Sequence, residues 1–344
     1  MLTKLNPAIL KLQYIPVINS LRGLASVTVC LFHLICLPLN FLQHTFIFEI
    51  APYGRFGVQI FFVITGIVIP IALIKGRYTY RLFGRFMRKR VLRIEPPYLF
   101  AILTGIIFIL LRNYFLAKTP YPIPTIKSLL LHIGYLIPFL KGQKWFIIVF
   151  WTMAVEFQYY LLISLLFPLL IARKFVVRIL SYCIVFALAL SYRNTEFALV
   201  WLPVFMIGVI YASFIYKKIN LSEFWTVLIV SIGFSFFLHG FIISFISAGT
   251  LAIIHYFSTY ESKTGNFFGR ISYSLYLVHT VFGTAVTNLF VPYVSGFFAK
   301  VLVVVLSFVV SLVTAYVFYL IIEKPFQKIA SKISLRRKTA EQKI

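Results

Sequence analysis

The sequence predicts an all-α polytopic membrane protein with about ten transmembrane helices. Hydrophobic residues make up 61% of the 344 residues and charged residues only 12%, whereas a soluble domain carries roughly a quarter charged residues. Apolar runs of about 20 residues recur along the whole chain, and a helix of that length crosses about 30 Å of hydrocarbon. The strands of a membrane β-barrel would be about ten residues long with alternating hydropathy, so a barrel is excluded.

The ten predicted spans are approximately 17–39, 56–74, 97–111, 149–171, 176–191, 197–216, 224–239, 241–258, 271–290 and 300–322. The segment 128–140 is apolar but too short to cross, so it is predicted to be re-entrant or interfacial. No small-residue cleavage site follows the first run, which is therefore predicted to be a permanent span rather than a signal peptide.

Basic residues set the predicted orientation. With a cytoplasmic N-terminus, the inner segments hold about three times as many Lys and Arg as the outer ones, as the positive-inside rule requires. The net charge of +25 is thus explained by topology and by contact with lipid headgroups, and no nucleic-acid partner is expected. Both termini are predicted to be cytoplasmic, with a membrane domain over 1–323 and a basic cytoplasmic tail over 324–344.

Cysteine usage adds two expectations. The three cysteines, Cys30, Cys36 and Cys183, all lie in apolar runs. Because their number is odd and their positions are within the membrane, neither a disulfide framework nor a metal centre is expected.

The first span is polar along one stripe. Arg22 and His33 are eleven residues apart, which is about 1100° of helix rotation, so both side chains point the same way. They are separated by roughly 16 Å along the helix axis, and Ser26 falls on the same stripe. Charged residues within spans usually face the bundle interior, so this stripe is predicted to line a cavity.

A carboxylate is predicted at the depth of His33. The chain contains no Asp, and of its eight acidic residues Glu156 alone lies well inside a predicted span. If that span enters from the outside, Glu156 lies roughly 10 Å below the outer boundary, which is similar to the depth of His33. A His33–Glu156 pair, with the carboxylate orienting the imidazole, is therefore expected. The alternative is that each residue makes only structural hydrogen bonds between helices.

Two further groups of polar residues are candidate site residues. Arg90 and Arg93 are one helical turn apart beside the third span, where forked guanidiniums suit phosphate recognition; a topogenic anchor is the alternative. In the ninth span Tyr276 and His279 share a polar stripe, and His279 is too deep for the interfacial aromatic belt, to which Tyr273 is assigned.

These residues together resemble the bacterial membrane acyltransferase family 3. The matching motifs occur in the family's order over nearly the whole chain: Arg22 and His33 with LRGLA, FFVITG at Phe61–Gly66, RVLR at Arg90–Arg93, Trp151 to Glu156, SYSLYLVH ending at His279, and EKP beginning at Glu323. The closest likeness is to O-antigen O-acetyltransferases, particularly through FWTMAVEFQYYLL.

The resemblance implies transfer of an acyl group, usually acetyl, from cytoplasmic acyl-coenzyme A to a carbohydrate hydroxyl on the outer side of the bacterial inner membrane. Acetyl-coenzyme A would be the donor substrate, a lipid-linked O-antigen repeat or polymer the acceptor, and no cofactor or metal would be permanently bound. Many relatives carry an extra periplasmic domain. Because this chain ends about twenty residues after its last predicted span, no such domain is expected.

The resemblance also implies roles for individual residues. Arg22, Arg90 and Arg93 would hold the coenzyme A phosphates, and His33 would act as general base or as an acyl-histidine nucleophile, with Glu156 orienting it. Glu323 would be a supporting residue. The residues expected to line the cavity or contact substrate are Ser26, Phe61, Phe62, Thr65, Gly66, Trp151, Tyr160, Tyr276 and His279.

Two other classes of protein fit part of the pattern. A transporter for an anionic substrate would use the same intramembrane Arg, His and Glu as a binding site and proton relay. Its activity would be indifferent to coenzyme A, which discriminates the two hypotheses. A structural or sensor membrane protein would leave the ordered motifs unexplained.

Overall fold

The computed structural model describes residues 15–38, 41–115 and 121–335. Within these ranges the chain forms helices and connecting turns, with no β-strand. The α-helices are α1 Val17–Cys36, α2 Phe46–Ile50, α3 Gly57–Lys75, α4 Phe83–Phe115, α5 Ile126–Ile133, α6 Trp151–Leu170, α7 Phe175–Ser191, α8 Ala198–Ile215, α9 Leu221–His239, α10 Phe241–Tyr256, α11 Lys263–Phe290, α12 Phe297–Phe318 and α13 Lys324–Ser331. Part of the predicted tail, 336–344, lies outside the described residues.

Eight helical segments of the described residues are long and apolar enough to cross a membrane, so the protein is a multi-pass membrane protein. They are Val17–Cys36, Phe46–Lys75, Tyr80–Phe115, Ile148–Leu170, Ala198–Ile215, Leu221–His239, Lys263–Tyr293 and Phe297–Ser331. The two other predicted spans coincide with α7 and α10, which have only 17 and 16 residues. At 1.5 Å per residue these two helices are about 25 Å long, slightly less than the hydrocarbon thickness.

The third predicted span is part of a much longer helix. α4 has 33 residues and is about 50 Å long, so the basic segment predicted as a loop continues as helix into the apolar part. Pro96 and Pro97 lie inside α4 and cannot donate helical hydrogen bonds to the carbonyls of Leu92 and Arg93. The proline pair coincides with the start of the predicted third span at residue 97.

The segment 121–150 does not form a spanning helix. α5 has eight residues, about 12 Å of helix, which is too short to cross. A 3₁₀ turn at Ile137–Phe139 and an irregular stretch then lead to a second 3₁₀ turn at Ile148–Phe150, directly before α6. Val149 and Phe150 are 1% and 0% exposed, so α6 begins inside the bundle.

Glycines allow the closest helix contacts. α1 and α11 run parallel, because Asn19 bonds Asn266 at one end while His33 meets His279 farther along both helices. A Cβ on Gly269 would lie 2.3 Å from the carbonyl oxygen of Asn19. Small residues let membrane helices approach to backbone contact, and here they bring the polar face of α1 against α11.

Candidate functional site

An internal cavity of about 100 Å³ lies between α1, α3, α4, α6, α11 and the turn that follows α12. Its charged lining residues are Arg22, Arg90, Arg93, Glu156 and Glu323. Three cations thus face two carboxylates within one cavity. The surplus of positive charge in this arginine cavity is chemically suited to an anion.

Arg90 is the most buried of the three arginines, at 5% exposure. Its guanidinium carbon lies 5.4 Å from the ring centre of Phe86 and 5.7 Å from that of Tyr160, within the range of cation–π attraction. Its Nε has no hydrogen-bond partner among the described residues, and none of the three arginines forms an ion pair with a described carboxylate. A buried donor without a partner is costly, and an anionic ligand in the cavity would satisfy it.

Glu156 lies in the arginine cavity and does not pair with His33. Its Oε1 accepts a short hydrogen bond from the hydroxyl of Tyr160, one helical turn away. The expected His33–Glu156 pair is therefore wrong. The depth estimate assumed that α6 starts at the outer membrane boundary, whereas its first turn is already buried and brings Glu156 to the level of Arg22.

Glu323 closes the cavity at a π-helical turn, Tyr319–Glu323. It is 1% exposed. Oε2 accepts hydrogen bonds from both the backbone N–H and the hydroxyl of Ser274, and Oε1 accepts one from Gln327 at 2.6 Å. With both oxygens bonded, Glu323 joins α11 to the end of α12, as a supporting residue would. π-helical turns are frequent at functional sites.

The partner of His33 is His279. Nδ1 of His33 lies 3.0 Å from Nε2 of His279, and Nδ1 of His279 lies 2.8 Å from the carbonyl oxygen of Leu275. Because a carbonyl oxygen only accepts, Nδ1 of His279 carries the hydrogen, and its Nε2 accepts one from Nδ1 of His33. Nε2 of His33 then carries no hydrogen and keeps its lone pair.

Tyr276 lies between the arginine cavity and the histidine pair. It lines the cavity, and its ring centre is 6.0 Å from that of His279. Its hydroxyl is 2.9 Å from Oγ1 of Thr152, another cavity residue. Tyr276 thus lies between the arginine cavity and the histidine pair, and along α1 the levels of Arg22 and His33 are roughly 16 Å apart.

Of the other predicted lining residues, Phe61, Phe62 and Thr65 line the cavity, but three residues do not. Ser26 is 0% exposed and donates to the carbonyl of Gly23. A Cβ on Gly66 would lie 2.3 Å from the carbonyl oxygen of Phe205, so this glycine serves the contact of α3 with α8. Trp151 packs against Trp201, with ring centres 6.3 Å apart. The sequence placed Gly66 and Trp151 by motif and Ser26 by its position on the stripe of α1, and neither criterion fixes which neighbouring helix a residue faces.

The expected position of Tyr273 is also wrong. It was assigned to the interfacial belt, yet it lines the cavity and its hydroxyl donates to the carbonyl of Ile94 at 2.9 Å. The sequence also missed Thr152, whose position next to Trp151 was the available signal. A second missed feature is the buried ion pair of Arg178 with Glu223, which lies outside the cavity.

The comparison with protein families identifies the class. The model of acyltransferase family 3, which describes an acyltransferase domain, matches residues 15–320. The chain therefore belongs to this acyltransferase family, and it is an acyltransferase. No curated protein sequence matches the chain, and no solved structure matches it.

Proposed function

We propose that the protein transfers an acetyl group from acetyl-coenzyme A to a hydroxyl group of a cell-surface carbohydrate. The observation that carries the proposal is the arrangement of two sites in one acyltransferase bundle: an arginine cavity at one level and a histidine pair about 16 Å farther along α1. Acyl transfer from coenzyme A needs an anion site for the donor's phosphates and a base at the thioester.

The arginine cavity is the donor end. Arg22, Arg90 and Arg93 supply guanidinium groups that match phosphate oxygens in geometry and charge. The distance to His33 is comparable to the reach of an extended pantetheine arm, so phosphates held near Arg22 would let the thioester reach the histidines past Tyr276. Glu156 and Tyr160 lie at this end, where we assign them to shaping the donor site.

The histidine pair is the reacting end. Nε2 of His33 takes the proton from the acceptor hydroxyl as its oxygen bonds to the thioester carbonyl carbon. The carbon–sulfur bond then breaks, and the thiolate leaves with the proton that His33 returns. The products are the ester and free coenzyme A. In the covalent variant Nε2 itself attacks the carbonyl carbon, the carbon–sulfur bond breaks and coenzyme A leaves as the thiolate. The acceptor hydroxyl then takes the acyl group from the imidazolium, and its proton goes to the thiolate, so the products are the same.

The orientation follows from charge. We place both termini and the basic half of α4 in the cytoplasm, because positive charge favours that side, and the donor is made there. His33 then lies towards the outer side of a bacterial inner membrane, where an O-antigen repeat is the acceptor we favour through the resemblance of FWTMAVEFQYYLL to O-antigen O-acetyltransferases.

The test is an acetylation assay. Membranes with wild-type protein or His33→Ala receive labelled acetyl-coenzyme A, and base-labile label on surface glycan is measured by mass spectrometry. We expect His33→Ala to lose at least about 10²-fold in rate, the usual contribution of a general base. His255→Ala is the matched control, because His255 lies elsewhere beside Tyr211, and it should remain active. Acetylation by His33→Ala at the wild-type rate would refute the mechanism, and coenzyme A-independent movement of an anionic substrate would indicate a transporter.

A further inference from the structure

Basic side chains recur every four residues along the first half of α4. Arg85, Lys89 and Arg93 are each separated by about 6 Å along the helix axis and about 40° around it, so they form one stripe. Arg85 is exposed, Lys89 is half-buried, and Arg93 lines the arginine cavity. The stripe therefore runs from the protein surface near the N-terminal end of α4 to the cavity. Arg81 precedes α4 in a 3₁₀ turn, where the helical spacing differs, and it does not continue the stripe.

Lys89 lacks a counter-charge among the described residues. Cations four residues apart on a helix repel each other, and no acidic residue lies on α4 before Glu95. Nζ of Lys89 donates to the carbonyl oxygen of Ile333 at 3.1 Å, and it forms no ion pair with a described residue. The charged groups that act on Lys89 are Arg90 and Arg93, which are both cations. Because an ammonium has three donors, Lys89 keeps two of them for a further partner.

The C-terminal segment 324–335 covers Lys89 in part. Ile333 follows α13, which packs against α4. Leu335 is buried against the residue that follows α3. The segment thus runs past Lys89 from α12 to the end of α3. A lipid headgroup at the membrane surface would therefore reach the exposed Arg85 more readily than Lys89.

The arginine cavity is too small for a whole coenzyme A. Its volume is about 100 Å³, whereas sites for small molecules occupy roughly 300–1,000 Å³. Coenzyme A consists of the pantetheine arm, a pyrophosphate, and an adenosine that carries a 3′-phosphate. With the arm directed at His33 and the pyrophosphate at the arginines, the adenosine lies outside the cavity, beside the N-terminal part of α4. The next cation of the stripe there is Lys89, one helical turn from Arg93.

We propose that Lys89 binds the 3′-phosphate of the donor and so makes the protein selective for coenzyme A over 3′-dephospho-coenzyme A. The inference rests on the proposed function and divides the donor's phosphates between two places. The pyrophosphate lies in the arginine cavity, and the phosphate monoester lies at Lys89. A monoester carries close to two negative charges at neutral pH, and an ammonium with two free donors provides both the charge and the hydrogen bonds that it needs.

The experiment measures binding of coenzyme A and of 3′-dephospho-coenzyme A by calorimetry, with the protein in nanodiscs of phosphatidylcholine. We expect the wild type to bind coenzyme A about tenfold more tightly, as one charge-assisted contact predicts. Lys89→Gln should bind both ligands with equal affinity, whereas Lys89→Arg should keep the preference because the charge remains. A preference in Lys89→Gln equal to that of the wild type would overturn the proposal.

Two further variants separate Lys89 from the cavity and from the general charge of α4. Arg90→Gln removes a cavity cation, so it should weaken both ligands by a similar factor and leave the tenfold preference unchanged. Arg88→Gln is the matched control, because it removes the exposed neighbouring cation and should match the wild type. Loss of the preference in Arg88→Gln to the same extent as in Lys89→Gln would show that the net charge of α4 selects the ligand, and it would overturn the role of Lys89.

A change of lipid tests the other source of phosphate. Adding phosphatidylglycerol to the nanodiscs should leave the preference of the wild type for coenzyme A unchanged. Loss of the preference in that membrane would show that lipid headgroups occupy Lys89, and it would overturn the proposal.

The outcome is separable from that of the proposed function. A wild type that binds neither ligand would refute coenzyme A as the donor and with it the proposed function. A wild type that binds both ligands with equal affinity would leave the donor site in the arginine cavity intact and would refute the role of Lys89 alone.

Discussion

Two buried groups of charged side chains in this bundle differ in whether their charges are matched. Between α7 and α9, Arg178 donates two hydrogen bonds of 2.7 Å to the two carboxylate oxygens of Glu223, and Tyr182 donates a third to Glu223. In the arginine cavity, three guanidiniums face two carboxylates without an ion pair, and Nε of Arg90 has no described partner. We call the first group closed, because its charges are paired with each other and stabilise the fold. We call the second group open, because its unpaired donor leaves a position that a ligand can take.

The largest expected effect is on the closed group. Glu223→Ala leaves Arg178 buried without its counter-charge, and breaking a buried ion pair costs about 3–5 kcal/mol. We expect a clearly lower melting temperature in detergent, with acetyl transfer per folded molecule unchanged. The double variant Arg178→Met/Glu223→Met should recover most of the stability, because an apolar pair needs no counter-charge. A wild-type melting temperature for Glu223→Ala would contradict the comparison.

In the open group, loss of one charge should affect binding of the donor rather than thermal stability. Arg90→Gln removes a buried Nε donor that has no described partner, and this gain offsets the lost contacts with the Phe86 and Tyr160 rings, so thermal stability should change little. Loss of one charge-assisted contact to phosphate is worth about 1.5–3 kcal/mol, so KM for acetyl-coenzyme A should rise at least about tenfold.

The control for that prediction is Arg81→Gln, which changes an exposed arginine outside the cavity. Both its KM and its melting temperature should match the wild type. A lower melting temperature for Arg90→Gln with an unchanged KM would make Arg90 structural and remove the contrast between the two groups.

The sequence predicts those parts of the fold and the site that depend on nearby residues, and it does not predict those that depend on how distant segments pack. The apolar runs predicted the eight spanning segments, because helix length is set by the membrane. Helix rotation placed Arg22 in the arginine cavity, whereas Ser26 and His33 on the same predicted stripe do not line it. The level of Glu156 was not predictable, because it depends on how the segment 121–150 folds back before α6. Likewise, Gly66 and Gly269 serve helix contacts whose partners are more than a hundred residues away.

The histidine pair lies at the proposed reacting end of the site, where His279 contacts His33. In the proposed mechanism His279 acts on the reaction through His33, which makes it a positioning residue. Its loss should lower kcat about tenfold while KM for acetyl-coenzyme A stays constant. In His279→Gln the amide oxygen can still accept from Nδ1 of His33, so this variant should keep more activity than His279→Leu. Equal losses in both variants, or a rise in KM, would indicate that His279 only packs.

The smallest expected effect concerns His132, a buried polar group whose hydrogen bonds are complete. Its Nδ1 lies 2.6 Å from the carbonyl of Ser128, so it donates there, and its Nε2 accepts the backbone N–H of Phe146 at 2.8 Å. These bonds tie α5 to the stretch that leads into α6. Unlike Arg178, this group is satisfied only when it is uncharged.

A pH titration of stability tests this role. Burial lowers the pKa of His132 below its usual 6.5, and the hydrogen bond to Ser128 offsets part of that shift. The folded protein therefore binds this proton less readily than the unfolded chain, so the contribution to stability is complete above about pH 6.5 and declines as the pH falls. We expect the difference in melting temperature between wild type and His132→Gln to be constant from pH 8 to 7 and to shrink towards pH 5.5. Titrating groups common to both proteins cancel in that difference, so a constant value down to pH 5.5 would show that His132 does not couple protonation to the folding of this segment.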